Sequence, residues 1–478
     1  MLDQIVDVVR EGQTKRAPME QIADVMTAYF VPVITLIAIL TWVVWMSLGL
    51  SDRIPSDWLD GSSGGWVAWS LQFATAVFVV ACPCGLALAA PTAIFVGGGL
   101  AAKHGILAKG GGEAFEKASK IDCVVFDKTG TLTMGGEPSI TDSEIFPDSD
   151  DVDDAHKATF LAALKAVEEN SSHPIAKAIS YFCESKISQS AIIDNLEEIP
   201  GKGMKATYTA LVTDFSVHIS PVVAALLQTW KTEAKSIVLA ATKPISPTRV
   251  LMPIYTLAAA FSISDPIRPE APAIIRALQT GGTAVWLLSG DNPTTATAVA
   301  LQLGINADNV IAGVLPTQKA EKITYLQSTL KARTGPTSES TTRRATIAMV
   351  GDGINNAPAL TTADVGVAIG SGSDVAISSA DFVLVNSDLQ SVVSLLELSR
   401  VVFRRIKFNF GWAIVYNCIA IPVAAGFLYP IVSHGSHVRL DPVWASLAMA
   451  LSSISVVTSS LALRSRLPGV GFWVRRVE

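Results

Sequence analysis

Four stretches of this 478-residue chain contain no Asp, Glu, Lys or Arg: Val25 to Ser51, Gly61 to Ala102, Phe408 to Val438, and Pro442 to Leu463. A bilayer's hydrocarbon core, about 30 Å thick, takes roughly 20 helical residues, so each stretch has room for one span. Water-soluble helices normally keep one polar face, and these stretches have none. The second stretch is longer than one span needs and ends in Gly97-Gly98-Gly99, so its helix is expected to bend or stop early. Charged residues make up 16% of the chain, against about 25% in soluble proteins. A net charge of −6 argues against a nucleic-acid partner. Five cysteines over this length make no disulfide framework.

Between the second and third stretches lie about 300 residues of ordinary soluble composition. The chain therefore reads as two spans, a large insertion and two more spans, in contact with membrane lipid. Arg464, Arg466, Arg475 and Arg476 follow the last span, whereas Asp52, Asp57 and Asp60 face Arg53 in the loop after the first. The positive-inside rule then places both termini and the insertion in the cytosol.

Within the insertion, Ile121 to Phe126 is an apolar, β-branched run and reads as a buried strand. It leads into Asp127-Lys128-Thr129-Gly130-Thr131-Leu132-Thr133. A carboxylate at the carboxyl end of a parallel strand sits where open α/β sheets bind ligands, and there it can attack phosphorus as a nucleophile. The Gly and Thr residues behind it supply amides and hydroxyls for phosphoryl oxygens.

Cys82-Pro83-Cys84 lies inside the second apolar stretch. Proline there frees a carbonyl and kinks the helix, and two thiolates offer soft ligands suited to Cu(I) or zinc-like ions. The spacing excludes a redox Cys-x-x-Cys. Tyr416-Asn417 sits in the third stretch and Met449 to Ser453 in the fourth. Met449 and Ser453, four apart, share a helix face.

The seven-residue string around Asp127 resembles that of the P-type ATPases, cation pumps phosphorylated on an aspartate. Further motifs follow in family order. Ser289-Gly290-Asp291 resembles the family's Thr-Gly-Asp turn, and Asp265-Pro266-Ile267-Arg268 its hinge into the second half of the phosphorylation domain. Lys319 resembles the lysine that neutralises phosphoryl charge. Gly351 to Pro358 resembles the magnesium loop, with Asp352 as the oxygen ligand Mg²⁺ prefers. The resemblance implies catalytic roles for Asp127, Lys128, Thr129, Ser289, Asp291 and Lys319, and Mg²⁺ held by Asp127, Thr129 and Asp352. Glu168 and His173 resemble the adenine-binding pair of the heavy-metal subclass, and Gly201 and Gly203 its glycine turn. Cys82, Cys84, Tyr416, Asn417, Met449 and Ser453 resemble the ion site of its copper(I) branch. A zinc or cadmium pump stays open as a rival, although the spans hold no carboxylate of the kind that branch uses.

The implied fold is a multi-pass α-helical membrane protein with a cytosolic α/β phosphorylation domain, haloacid-dehalogenase-like and Rossmann-type, and an inserted α+β nucleotide-binding domain. Expected boundaries are a cytosolic lead-in over 1–24, spans over 25–102, phosphorylation domain over 103–138 and 262–400, nucleotide-binding domain over 139–261, spans over 401–463 and a basic tail over 464–478. The implied cofactors are ATP and Mg²⁺, with Cu(I) transported and a cytosolic copper chaperone as a candidate delivery partner. The family suggests a secretory-pathway (Golgi-type) or plasma membrane.

The chain departs from the family at three places. Asn356 stands where the family has Asp, which removes a negative charge near the metal. Ile219-Ser220 stands where it has Gly-Asn beside the nucleotide. No Thr-Gly-Glu occurs, the signature of the actuator domain that directs water onto the aspartyl phosphate. The sequence thus reads as the carboxyl-terminal part of a copper pump. A copper-binding or regulatory membrane protein without a catalytic cycle is the alternative.

Overall fold

The computed structural model describes residues 18–59, 64–134, 139–146, 154–171, 174–186, 194–199, 203–207, 221–233, 235–242, 256–332, 343–352, 354–370, 374–386, 388–433, 436–465, 467 and 470–472. The chain divides into two compact units.

The first unit holds residues 1–121, 364–371 and 377–477. Its helices Pro18–Leu50, Gly65–Val80, Cys84–Lys103, Gln390–Ala424 and Pro442–Leu461 form four stretches long and apolar enough to cross a membrane. Their outward faces carry large apolar side chains in the open, Leu36 at 57% and Phe95 at 68% exposure among them. In water such a surface would associate; in lipid it is solvated. Helices are the form that satisfies every backbone N–H and C=O within one segment at that depth.

The second span breaks at Ala81 to Pro83, between Gly65–Val80 and Cys84–Lys103. Pro83 has no N–H to donate and starts a new helix. The expected stop at Gly97-Gly98-Gly99 is not found: the helix runs through these residues to Lys103. Close packing explains at least one of these glycines. A Cβ on Gly97 would lie 2.6 Å from a methyl of Val402, so glycine lets the two helices approach as small residues do in membrane bundles. One end of the bundle is closed by Trp45, Trp69, Phe73 and Tyr429, whose rings meet at 5.0 to 6.0 Å.

The second unit holds residues 122–363 and 372–376. At its centre the strand Cys123–Asp127 pairs in parallel with Ile347–Gly351 on one side and Ala284–Leu288 on the other. Every residue of Cys123–Asp127 and of Ile347–Gly351 is buried, as expected of parallel strands covered on both faces. Helices Lys319–Thr329 and Ala357–Thr362 contribute Ile323, Leu326 and Leu360 to a core with Val125 and Met349.

Inserted into this sheet is an antiparallel layer in which Thr256–Ser264 lies between Ser139–Ile145 and Ser236–Thr242. Alternation along the middle strand sends Ala259, Phe261 and Ile263 to a core with Leu161, Leu164 and Ile179. Ala260 faces the other side, against Leu227 and Trp230. The period of two is that of a sheet with helices on both faces.

Substituting Ala for Gly97 should destabilise the membrane unit by about 1–3 kcal/mol through overpacking. Gly98→Ala, where nothing lies within 4 Å of the new Cβ, should stay within ~0.5 kcal/mol of wild type. Thermal unfolding of both proteins in detergent checks the pair.

Candidate functional site

Asp127 is the last residue of the central strand and only 5% exposed. A carboxylate taken that far from water needs partners, and both its oxygens have one. Lys319 Nζ donates to Oδ1 at 2.8 Å, and Asn356 Nδ2 donates to Oδ2 at 2.8 Å. Lys319 also donates to Asn356 Oδ1 at 2.8 Å, which closes a ring of three side chains. Lys319 can only donate, so the Asn356 oxygen must face it and the amide nitrogen must face Asp127. Asp352 follows the neighbouring strand Ile347–Gly351, and Asn356 Nδ2 approaches its Oδ1 at 3.4 Å. Burial, with the Asp127 carboxylate nearby, pushes Asp352 up to about 6.

The loop after Asp127 turns at Gly130, where φ is +72°. A Cβ there would strike the Asp352 carboxylate, so glycine both permits the turn and admits the second acid. Lys128 pairs with Asp291, while Thr129 is exposed. Among the described residues the Thr131 hydroxyl is buried without a hydrogen-bond partner, at a cost of about 1–3 kcal/mol. Ser289 is buried, and its Oγ accepts from the Asp291 backbone N–H at 3.1 Å, so its hydroxyl braces its own turn.

Asp265 and Arg268, in the segment expected to be the hinge, hold the loop that follows Asp127. Thr133 Oγ1 lies 2.6 Å from Asp265 Oδ2 and accepts from the Gly130 N–H at 3.1 Å. Arg268 donates through Nε to the Thr133 carbonyl and through Nη2 to the Gly130 carbonyl, both at 3.0 Å. Thr133, the last residue of the seven-residue string, was the available signal.

Two neighbouring carboxylates, one with a raised pKa, share the Lys319 ammonium and the Asn356 amide. That donor set of hard oxygens fits Mg²⁺, with Asp127 and Asp352 as the side chains to hold it.

Of the nucleotide residues, Glu168 closes the helix Asp154–Glu168, and burial pushes its carboxyl up to about 7. Gly203 opens the strand Gly203–Thr207. His173, Gly201 and Ile219-Ser220 lie outside the described residues.

In the membrane unit, Cys82 and Cys84 flank the helix break with their Cα atoms 5.5 Å apart. Their sulfurs meet, so the two expected soft ligands are brought to one place. The turn at Pro83 points side chains two residues apart at one place. Neighbouring residues of the other four sequence-predicted ligands gather round it. Gly85 faces Ala413, Ser452 and Val456, and Tyr416 packs with Val80, Ala81 and Ala448 in one cluster. The Tyr416 hydroxyl is buried and unpartnered. Asn417 and Leu86 line a cavity of about 340 Å³. Ser453 Oγ donates to the Met449 carbonyl at 3.4 Å.

A buried strand-end aspartate, clamped by a lysine and with a second acid following the adjacent strand, is the arrangement of an open α/β fold with its site at the carboxyl ends of the strands. The chain matches the haloacid dehalogenase-like hydrolases over residues 121–364 and belongs to that family. Across nearly its whole length it is similar to heavy-metal P-type ATPases. It is 38% identical over 97% of its residues to the probable copper-transporting ATPase HMA5 of Arabidopsis thaliana, of which it covers 44%. It is 38% identical over 98% of its residues to the probable copper-transporting ATPase PacS of Synechococcus elongatus, covering 56%. The chain thus spans about half the length of the curated relatives it matches. A zinc-transporting PIB-type ATPase in its E2.Pi state superposes over 96% of this chain and 66% of its own, with a TM-score of 0.63 and 27% identity.

Glu168 has a folded pKa of about 7 against an ordinary 4.5, so its burial costs nothing below pH 4.5 and the penalty grows as pH rises towards 7. Glu168→Gln should therefore match wild type near pH 4 and gain on the order of 3 kcal/mol at pH 8. Unfolding curves at the two pH values check the difference.

Proposed function

We propose that this chain carries the phosphoryl-acceptor and ion-binding parts of an ATP-driven copper(I) transporter. The observation that carries the reading is the buried Asp127 carboxylate, held at both oxygens at the end of its strand with Asp352 beside it. Nucleotide would be held by the segment 139–261, through Glu168, His173, Gly201 and Gly203. An Asp127 oxygen attacks the γ-phosphorus of ATP; the bond from that phosphorus to the bridging oxygen breaks, and ADP leaves with the electron pair. Lys319 and the Lys128 side chain offset the charge gathering on the phosphoryl oxygens. Thr131 offers them a hydroxyl. Mg²⁺ on Asp127, Asp352 and Thr129, when bound, neutralises charge shared between the acceptor and the phosphoryl group.

Cu(I), as cargo, would bind the reduced pair Cys82 and Cys84 together with Tyr416, Asn417, Met449 and Ser453. Sulfur and thioether donors favour a soft monovalent ion. A cytosolic copper chaperone would be the delivery partner.

The test is an acid-quench assay with radiolabelled γ-ATP under reductant, with Cu(I) supplied or chelated and Zn²⁺ in parallel. Label should be hydroxylamine-sensitive, absent in Asp127→Asn and about 100-fold slower to form in Lys319→Met. Cys82→Ser should abolish its dependence on copper. Label that forms equally well in Asp127→Asn would overturn the assignment, and stimulation by zinc alone would replace the cargo.

A further inference from the structure

Asn356 is 1% exposed and contacts three charged groups of the pocket. Its amide nitrogen donates to Asp127 at 2.8 Å and reaches Asp352 at 3.4 Å, while its oxygen accepts from Lys319 at 2.8 Å. The side chain is pinned from behind. A Cβ on Gly351 would lie 2.9 Å from Asn356 Cγ and Nδ2, so the amide fills the space that glycine leaves. Both Asp127 oxygens are thereby capped by donors. The amide nitrogen thus reaches an oxygen of each acid, and a cation held by both oxygens would compete with that N–H for their lone pairs.

We propose that Asn356 is a metal-displaceable latch. Its amide holds Asp127 and Lys319 in register in the metal-free protein, and it competes with Mg²⁺ for the Asp127 oxygen. A carboxylate at 356 would act in the opposite way. It would place three acids around one ammonium, loosen the metal-free pocket by repulsion and draw the cation in. The amide therefore exchanges metal affinity for order without metal. This inference rests on the phosphoryl-transfer reading above and concerns the same pocket.

Mg²⁺ titration of thermal stability separates the two, with the full chain in detergent and no nucleotide. Wild type is compared with Asn356→Ala, Asn356→Asp and Asp127→Asn. Removing the competing donor should tighten Mg²⁺ binding about tenfold in Asn356→Ala, although that variant gains no charge. The metal-free form should melt lower than wild type. Asn356→Asp should bind more tightly still, and Asp127→Asn should lose the magnesium shift. If Asn356→Ala binds Mg²⁺ no more tightly than wild type while Asp127→Asn still abolishes binding, the latch is overturned and the phosphoryl site stands. If Mg²⁺ stabilises none of the four, the phosphoryl-transfer reading falls and the latch with it. Should Asn356→Ala not fold, Asn356→Asp decides: a metal-free melting point equal to wild type overturns the latch.

Discussion

A buried carboxylate has to be neutralised by something, and the soluble half of this protein is arranged around that requirement. Asp127 and Lys319 are 5% and 6% exposed and 192 residues apart in sequence. Breaking such a pair from one side leaves an uncompensated buried charge, at about 3–5 kcal/mol. Their meeting depends on the parallel strands Cys123–Asp127 and Ile347–Gly351, and on the helix Lys319–Thr329 that packs on them. The sheet is thus the frame that makes an otherwise unfavourable charge tolerable. The same charge is what gives the site its chemistry.

The membrane unit solves a related problem with different means. Its helices cannot leave backbone groups unpaired in lipid, and among the described residues the second span is interrupted at the break around Pro83. That break is enclosed by neighbours rather than by lipid: Ala413, Ser452 and Val456 lie against Gly85. Further along, Asn409 is 1% exposed and reaches the Ser460 hydroxyl at 2.9 Å, and Ser460 lies 2.9 Å from Thr92. Buried polar groups in the bundle find each other across three helices, as side chains at that depth must.

Much of this was legible in the sequence because it rested on strong, local signals. Charge-free stretches mark spans regardless of what surrounds them, and the apolar run before Asp127 marks the strand and puts a carboxylate at its end. Lys319 was reached only through family order, since a lysine at the start of a polar helix carries no signal of its own. Three features were not readable. The kink at Pro83 was expected, but the run of the helix through Gly97-Gly98-Gly99 to Lys103 was not, because glycine in a span serves close packing as readily as termination. The clip from Asp265 and Arg268 onto the loop of Gly130 and Thr133 is a long-range contact between short polar segments. The position of Asn356, read as a missing charge, proved to be a hydrogen-bonded one, which depends on where Lys319 sits.

The strand pairings at the root of the inserted layer have a consequence for how such a chain could arise. Thr133 bridges Ile267, and Ser139 pairs with Ser264, so the segment leaves the parent fold and returns to it through adjacent positions. A loop whose ends already touch adds little closure entropy as it lengthens. The whole layer with its helices can therefore be viewed as a long interruption that the phosphoryl-accepting sheet scarcely feels. Such a root allows the nucleotide segment to diverge, or to be exchanged, at its own pace while the residues around Asp127 stay fixed.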